Sequence, residues 1–514
     1  MTNSRHPKLR SADDAVARIA DRSTVACGGF VGAAHPEALT AALERRFLRA
    51  GSPRDLTLVY AAGQGDGKSR GLNHLAHVPL VRRVVGGHWG LAPSLGRLAL
   101  ENRIEAYNFP QGVICQLLRD IAAKRPGCLT HVGLGTFIDP QHQGGRLNAA
   151  TTEPLVSRVE LAGRTWLLYH AFPIHVGLIR ATAADPHGNL SMAEEAVIGE
   201  VLPIAQAARN CGGIVIAQVK QLEDRPLPPH QVNVPGILVD HVVLAEPGEH
   251  EQTFAESLNR SYFTANDATA GTDESLEPAT LSGARRIIAA RACDELRKGD
   301  VANLGIGMPE GIAAIARQRG LLDAVTLTVE SGPVGGAPAG GLSFGAATHP
   351  RAIIDQPAQF DFYDGGGLDF AALGAAEVDA SGNVNVSRFG SVFAGVGGFV
   401  NISQNAKRLV FCGTLTSRGL EIRATDGKLT IEREGAIHKF VALVEQVSFC
   451  GDMARRENRD VLYVTERAVF QLTAEGVELI EVAPGIDLQS EVLGVMDFKP
   501  IVRNPRPMRA ELFL

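Results

Sequence analysis

Apolar positions recur along this chain at helical spacing in some stretches and as short continuous runs in others, and the two patterns alternate. The pattern predicts a helix over residues 12–19, a short strand over 23–26, a glycine-rich turn GGFVGAAHPE over 28–37, a helix over 38–48 and a strand over 56–60. The same order returns later: helix over 282–296, short strand over 301–304, glycine-rich turn GIGMPE, helix over 311–319 and strand over 325–329. Pro36-Glu37 and Pro309-Glu310 hold the same place in both units, where a helix begins and the missing proline N–H costs nothing.

A second echo follows in the same order. AADPHGNLS (183–191) corresponds to EVDASGNVNVS (377–387), with Asp185 matching Asp379 and Gly188-Asn189 matching Gly382-Asn383. In each, D-x-x-G-N supplies the carboxylate and the left-handed position of a tight turn between apolar strands. Between the repeats, residues 246–280 are polar, acidic and turn-prone, with no sustained apolar period. The expected organisation is therefore a first domain over 1–250, a linker over 251–280 and a second domain over 281–514. Both are duplicated α/β domains with largely parallel sheets, because β-branched runs such as 213–219 and 325–329 alternate with helices. Ligands of such sheets sit at the carboxyl ends of the strands.

The chain's 514 residues are enough for two cores, and a formal charge of -6 excludes a generally cationic nucleic-acid binder. Seven cysteines, odd in number and without a C-x-x-C pair, fit a reduced, cytoplasmic chain. The first residues are polar, which reads as no secretory signal. Two uncharged stretches, 331–348 and 389–406, are long enough to span a membrane. They are broken by glycines and polar residues, and are expected to be buried loops and strands.

Candidate chemistry begins at Glu330. It ends the predicted strand 325–329 and is the only charge in ESGPVGGAPAGGLSFGAA. A lone carboxylate among small residues is partly desolvated, and small side chains let a ligand backbone or thiol arm come close and supply free N–H groups as oxyanion donors. The corresponding strand of the first half runs into AAGQG with no acid. A strand-end glutamate that only caps a turn is the competing reading. NLGIGMPEG (303–311) is a glycine turn opening a helix, but Glu310 stands where a dinucleotide fingerprint needs its third glycine. No phosphate-binding G-x-x-x-x-G-K-[ST], hydrolase G-x-S-x-G or metal-binding H-E-x-x-H occurs, and no metal site is expected. GVGGF (395–399) could present backbone amides to an oxyanion, and Gln111 of PQG offers a neutral amide to a carbonyl or carboxylate.

These blocks resemble one family. ANLGIGMP (302–309), VESG with PVGGAPAGG (329–341), ALGAAEVDASGNVNVS (372–387) and GVGGFVNISQNAK (395–407) are similar to family I CoA-transferases. Among these the nearer resemblance is to single-chain acetate/propionate CoA-transferases, and the more distant to succinyl-CoA:3-ketoacid CoA-transferases. GGFVGAAHPE and GLGTFIDPQHQGGRLN (133–148) carry the resemblance into the first half. The resemblance implies two related α/β domains with the active site between them. It implies Glu330 as the nucleophile that forms an acyl-glutamyl anhydride and then a glutamyl-CoA thioester. It further implies that Gly397 and Gly398 stabilise the oxyanion, that Gln111 orients the substrate, and that Gly305, Ile306, Gly307 and Met308 line the CoA arm. Coenzyme A is then a substrate carrier, with no permanent cofactor, no nucleic acid and no membrane partner, in a homo-oligomer. The chain departs from the succinyl-CoA branch at Ser331, where that branch has asparagine, and carries Arg418 where relatives often have a small residue. Alternatives are a 3-ketoacid CoA-transferase, an acyl-CoA hydrolase, and a non-catalytic acyl-CoA sensor.

Overall fold

A computed structural model describes residues 6–265 and 281–514, and these fall into two compact units. The first comprises Met1–Asp267, Val329–Asp361 and Ser391–Asn401, and the second Ala268–Thr328, Phe362–Gly390 and Ile402–Leu514. The single cut expected from the sequence is thus corrected. Of the two later segments of the first unit, 391–401 lies wholly within the uncharged stretch 389–406, and 329–361 contains the whole of the uncharged stretch 331–348. Residues 251–265, expected as linker, are packed into the first unit, with Gln252, Thr253 and Phe254 buried. Their polar groups are taken up internally, as in the bond from the Asn259 amide N–H to Gln252 Oε1 at 2.7 Å, so polarity misled the composition. The rest of the expected linker, 266–280, lies outside the described residues.

The first unit is built on a sheet ordered Leu9–Arg10, His241–Leu244, Ile214–Leu222, Val176–Ala184, Thr24–Cys27, Leu56–Tyr60, Val81–Gly86 and Glu105–Asn108. These neighbours pair in parallel, and Leu190–Ser191 adds an antiparallel edge to Val176–Ala184. All nine residues of Val176–Ala184 are buried, as a parallel strand covered on both faces requires. Helices Glu37–Ala50, Gln111–Ala122 and Val201–Asn210 each start shortly after a strand.

The second unit repeats the arrangement. Thr326–Thr328, Val301–Leu304, Phe370–Gly374, Arg408–Cys412 and Asp460–Val464 are consecutive parallel neighbours. Antiparallel strands Ala468–Thr473 and Gly476–Val482 extend the sheet. The order Leu56–Tyr60, Thr24–Cys27, Val176–Ala184, Ile214–Leu222, His241–Leu244 in one unit corresponds strand for strand to the parallel run in the other. The D-x-x-G-N turns agree atom by atom. Asp185 Oδ1 accepts the His187 and Asn189 amides, and Asp379 Oδ1 accepts those of Ser381 and Asn383. Gly188 and Gly382 both have φ 80°, and Asn189 and Asn383 both accept a glycine amide, from Gly236 and Gly451, at 2.8 and 2.9 Å. Among the described residues, no helix is long and apolar enough to cross a membrane.

Candidate active site

Four strands of the first unit end side by side in glycine-containing turns: Cys27 into GGFVG, Tyr60 into AAGQG, Gly86 into GHWG and Asn108 into FPQG. Glycine is imposed by crowding at several of these turns. A Cβ on Gly87 would sit 1.9 Å from the Ala61 carbonyl oxygen, and one on Gly32 would sit 2.4 Å from the Phe254 nitrogen.

The chain enters the first unit at Val329, one residue before Glu330. Val329 and Gly332 close a tight turn: the Gly332 N–H donates to the Val329 carbonyl and the Val329 N–H to the Pro333 carbonyl, both at 3.0 Å. Glu330 at its head keeps 9% of its surface exposed. Ser331 is fully buried, and its hydroxyl donates to the Gly345 carbonyl at 2.5 Å, which pulls the following loop back over the turn. That loop is fixed to the first-half residues: the Phe344 ring lies 5.6 Å from the Phe30 ring, and Ser343 Oγ donates to Glu256 at 2.7 Å. Glu330 is therefore a carboxylate on a rigid turn, among small residues, at a strand end, as the sequence pattern predicts.

The GVGGF loop is held in the same unit. Val396 N–H donates to Asn108 Oδ1 at 3.0 Å, Gly397 N–H to the Gly87 carbonyl at 2.7 Å, and Gln111 N–H to the Gly397 carbonyl at 2.9 Å. The two amides expected to meet an oxyanion are thus corrected to one. Gly397 spends its N–H on Gly87, and its φ of 51° instead turns the chain. Among the described residues, no backbone partner takes the Gly398 N–H. Gln111 opens helix Gln111–Ala122, is 2% exposed, and its Nε2 has no hydrogen-bond partner, so a buried amide donor is left for a ligand. Asn108 and His88 belong to this cluster too and were missed from the sequence. His88 bridges to Gly395, and its imidazole lies beside Gly397.

The expected CoA loop lies in the second unit, directly after strand Val301–Leu304. Gly305 N–H donates to the Ala372 carbonyl at 2.8 Å, Gly307 adopts φ 83°, and the half-exposed Ile306 projects between them. Met308–Glu310 then forms one 3₁₀ turn that leads into helix Gly311–Gln318. The loop is glycine-shaped, with apolar Ile306 at its tip, which suits the flank of an amphipathic arm better than a nest for a pyrophosphate.

Beneath GGFVG, buried groups lock the loop. His35 Nδ1 bonds Gln64 Oε1 at 2.7 Å, and Gln64 Nε2 donates to the Cys27 carbonyl at 2.9 Å. Burial holds the His35 pKa down at about 4 despite the nearby Glu37, so the ring is a neutral strut. Arg180 and Glu195, both 2% exposed at the side chain, pair at 3.0 Å. Burial would raise the Glu195 carboxyl, but Arg180 and His250 outweigh it and bring the pKa to about 2.

The sequence profile of coenzyme A transferases matches residues 9–245. The chain is 42% identical to the acetate CoA-transferase YdiF of Escherichia coli over 97% of this chain and 93% of that protein. It is 41% identical to the caffeate CoA-transferase of Acetobacterium woodii over 96% and 95%. The crystal structure of the Escherichia coli acyl-CoA transferase YdiF apoenzyme superposes with a TM-score of 0.93 at 40% identity, covering 100% of this chain and 97% of that one. A thioester complex with CoA of the same enzyme aligns equally well. The chain belongs to the coenzyme A transferase family and is an enzyme of that type.

Proposed function

We propose that this enzyme moves coenzyme A between short-chain acyl groups and free carboxylates, acetate-type in class, by ping-pong chemistry through Glu330. The observation that carries this reading is the Glu330 turn: a desolvated carboxylate on a rigid glycine-locked support, in the same compact unit as Gln111 and Gly398. Exchange between a thioester and a carboxylate is close to energy-neutral, so it needs a carboxylate nucleophile and exclusion of water. Glu330 attacks the acyl-CoA carbonyl, and CoA thiolate leaves to give a mixed anhydride. The thiolate then attacks the glutamyl carbonyl, releasing the carboxylate product and leaving a glutamyl-CoA thioester. The acceptor carboxylate runs the two steps in reverse. In this reading the Gly398 amide meets the oxyanion and Gln111 Nε2 orients the carboxylate, while Gly305, Ile306, Gly307 and Met308 flank the CoA arm. Gly397 shapes the loop through its backbone. The assembly that the family resemblance supports is a homo-oligomer.

The acceptor is a free carboxylate. The near-equal identity to an acetate and to a caffeate enzyme means that overall similarity does not select its side chain. Intact-mass spectrometry after incubation with acetyl-CoA or propionyl-CoA tests the mechanism. A CoA adduct mapped to Glu330, absent in Glu330→Gln, is expected. Full turnover by Glu330→Gln, or release of CoA at the same rate without an acceptor, would overturn it.

A further inference from the structure

The mechanism above leaves one side chain at the oxyanion loop without a task. His88 follows strand Val81–Gly86 and is packed among three glycines. A Cβ on Gly63 would lie 2.5 Å from His88 Nδ1, one on Gly90 would lie 3.0 Å from Cε1, and one on Gly397 would lie 3.9 Å from Cδ2. The absence of side chains at Gly63 and Gly90 is what lets the ring occupy its slot, and Gly397 lies in ordinary contact with it. The backbone on both sides is fixed: Trp89 N–H donates to the Ala394 carbonyl at 2.7 Å, and His88 itself bridges to Gly395. His88 Nδ1 is buried with no partner.

Burial lowers the His88 pKa to about 4, so the ring is neutral at physiological pH. Yet the residue retains part of its surface accessible to solvent. An unpaired buried lone pair is better tolerated than an unpaired buried N–H, which places the proton of the neutral ring on Nε2. That nitrogen is the ring donor not sealed against Gly63. The neighbouring Gln111 Nε2 is a buried donor without a partner, and Gln111 Oε1 would lie 3.5 Å from a Cβ on Gly397. Two neutral side chains therefore flank one glycine.

We propose that His88 is a second substrate-contacting residue of the transfer reaction, whose Nε2–H donates to the carboxylate oxygen of the acyl group as it is activated, opposite Gln111. The inference rests on the function proposed above. A neutral donor is the chemistry such a step needs: an imidazolium would hold the carboxylate as a strong ion pair and weaken its nucleophilicity. Two donors would align a planar carboxylate without neutralising it.

The test uses the full-length enzyme with acetyl-CoA or propionyl-CoA and acetate or propionate. His88→Gln sets an amide nitrogen where Nε2 stands, and His88→Asn sets one where Nδ1 stands. His88→Ala is expected to lower kcat with either carboxylate by about 100-fold, as loss of an oxyanion donor does, with little change in the dissociation constant of free CoA. His88→Gln is expected to recover most of that loss and His88→Asn little of it. The wild-type kcat/KM profile is expected to show no inflection near the ordinary histidine pKa. Equal activity of the Gln and Asn variants, or retention of turnover by both within twofold, would overturn the inference, and so would an inflection near pH 6.5 that is lost in His88→Gln. The Glu330 adduct in the wild type is measured separately. Its presence with an indifferent His88 leaves the function standing, and its absence removes the function whatever His88 does.

Discussion

Asn108 and Val396 are 288 positions apart in sequence, and the carboxamide of the first accepts the amide N–H of the second at 3.0 Å. The same Asn108 side chain donates through Nδ2 to the Gly86 and Gly87 carbonyls at 2.9 and 2.6 Å, and it is fully buried. One amide thus joins the end of strand Val81–Gly86 to the loop that carries Gly397 and Gly398. Every hydrogen-bonding site it uses is directed at backbone, which makes it a template for the loop.

Removing that template strands the buried Val396 N–H, and the Gly86 and Gly87 carbonyls each lose one donor while keeping the Phe109 and Gly397 N–H groups. An unsatisfied buried group costs about 1–3 kcal/mol. Asn108→Ala is expected to lower the urea midpoint clearly and to reduce kcat by more than tenfold, because the Gly398 amide shifts, while the KM for acyl-CoA changes little. Unfolding curves and steady-state kinetics check both halves. An unchanged kcat in a folded variant would show that the loop is held by the Gly397 bonds alone.

Glu200 sets a pH dependence of stability. It precedes helix Val201–Asn210, is fully buried, and neither carboxylate oxygen has a hydrogen-bond partner. Burial raises its pKa from 4.5 to about 8. Between those two values the folded chain holds one proton more than the unfolded chain. The contribution of Glu200 is therefore fully present below the unfolded pKa and is lost as pH rises toward the folded one, by about 1.4 kcal/mol per pH unit. Glu200→Gln keeps the shape and removes the titration. Its stability relative to the wild type is expected to grow steadily from about pH 5 to about pH 8 in urea unfolding. A difference independent of pH would mean that Glu200 is ionised in the fold.

What was legible in the sequence follows from what is local. The duplicated strand order, the paired D-x-x-G-N turns and Glu330 each announce themselves within a few residues: β-branched runs, an Asx carboxylate before glycine, one charge among small residues. The membership of 329–361 and 391–401 in the first unit was not legible, because it depends on bonds such as Gly397 to Gly87, whose partners carry no motif. His88, Asn108 and Glu200 escaped for the same reason. An isolated histidine, asparagine or glutamate gains meaning only from a neighbour hundreds of positions away or from the depth at which it is buried. Polarity likewise marked 251–265 as linker, since composition does not tell a solvated threonine from Thr253, whose hydroxyl lies 2.9 Å from that of Ser343.

Gly332 offers a test of how strictly the Glu330 turn must be held. Its φ of 126° is in the region open chiefly to glycine, and a Cβ there would stand 2.0 Å from the Ile354 carbonyl oxygen. The obstacle is backbone, so it cannot be relieved by a rotamer change. Gly332 also donates to Val329 and accepts from the Ile354 N–H, each at 3.0 Å, so displacing it breaks the turn on both sides of Glu330. Gly332→Ala must therefore move the nucleophile even though it adds one methyl group. A misplacement of about 1 Å at a reacting group can cost about 100-fold in rate. We expect at least that loss in kcat and slower build-up of the Glu330 adduct. Free CoA should still bind normally, because its expected loop at Gly305–Met308 lies in the other unit. Wild-type adduct formation in Gly332→Ala would show that the turn can relax, and that the glycine serves folding more than positioning.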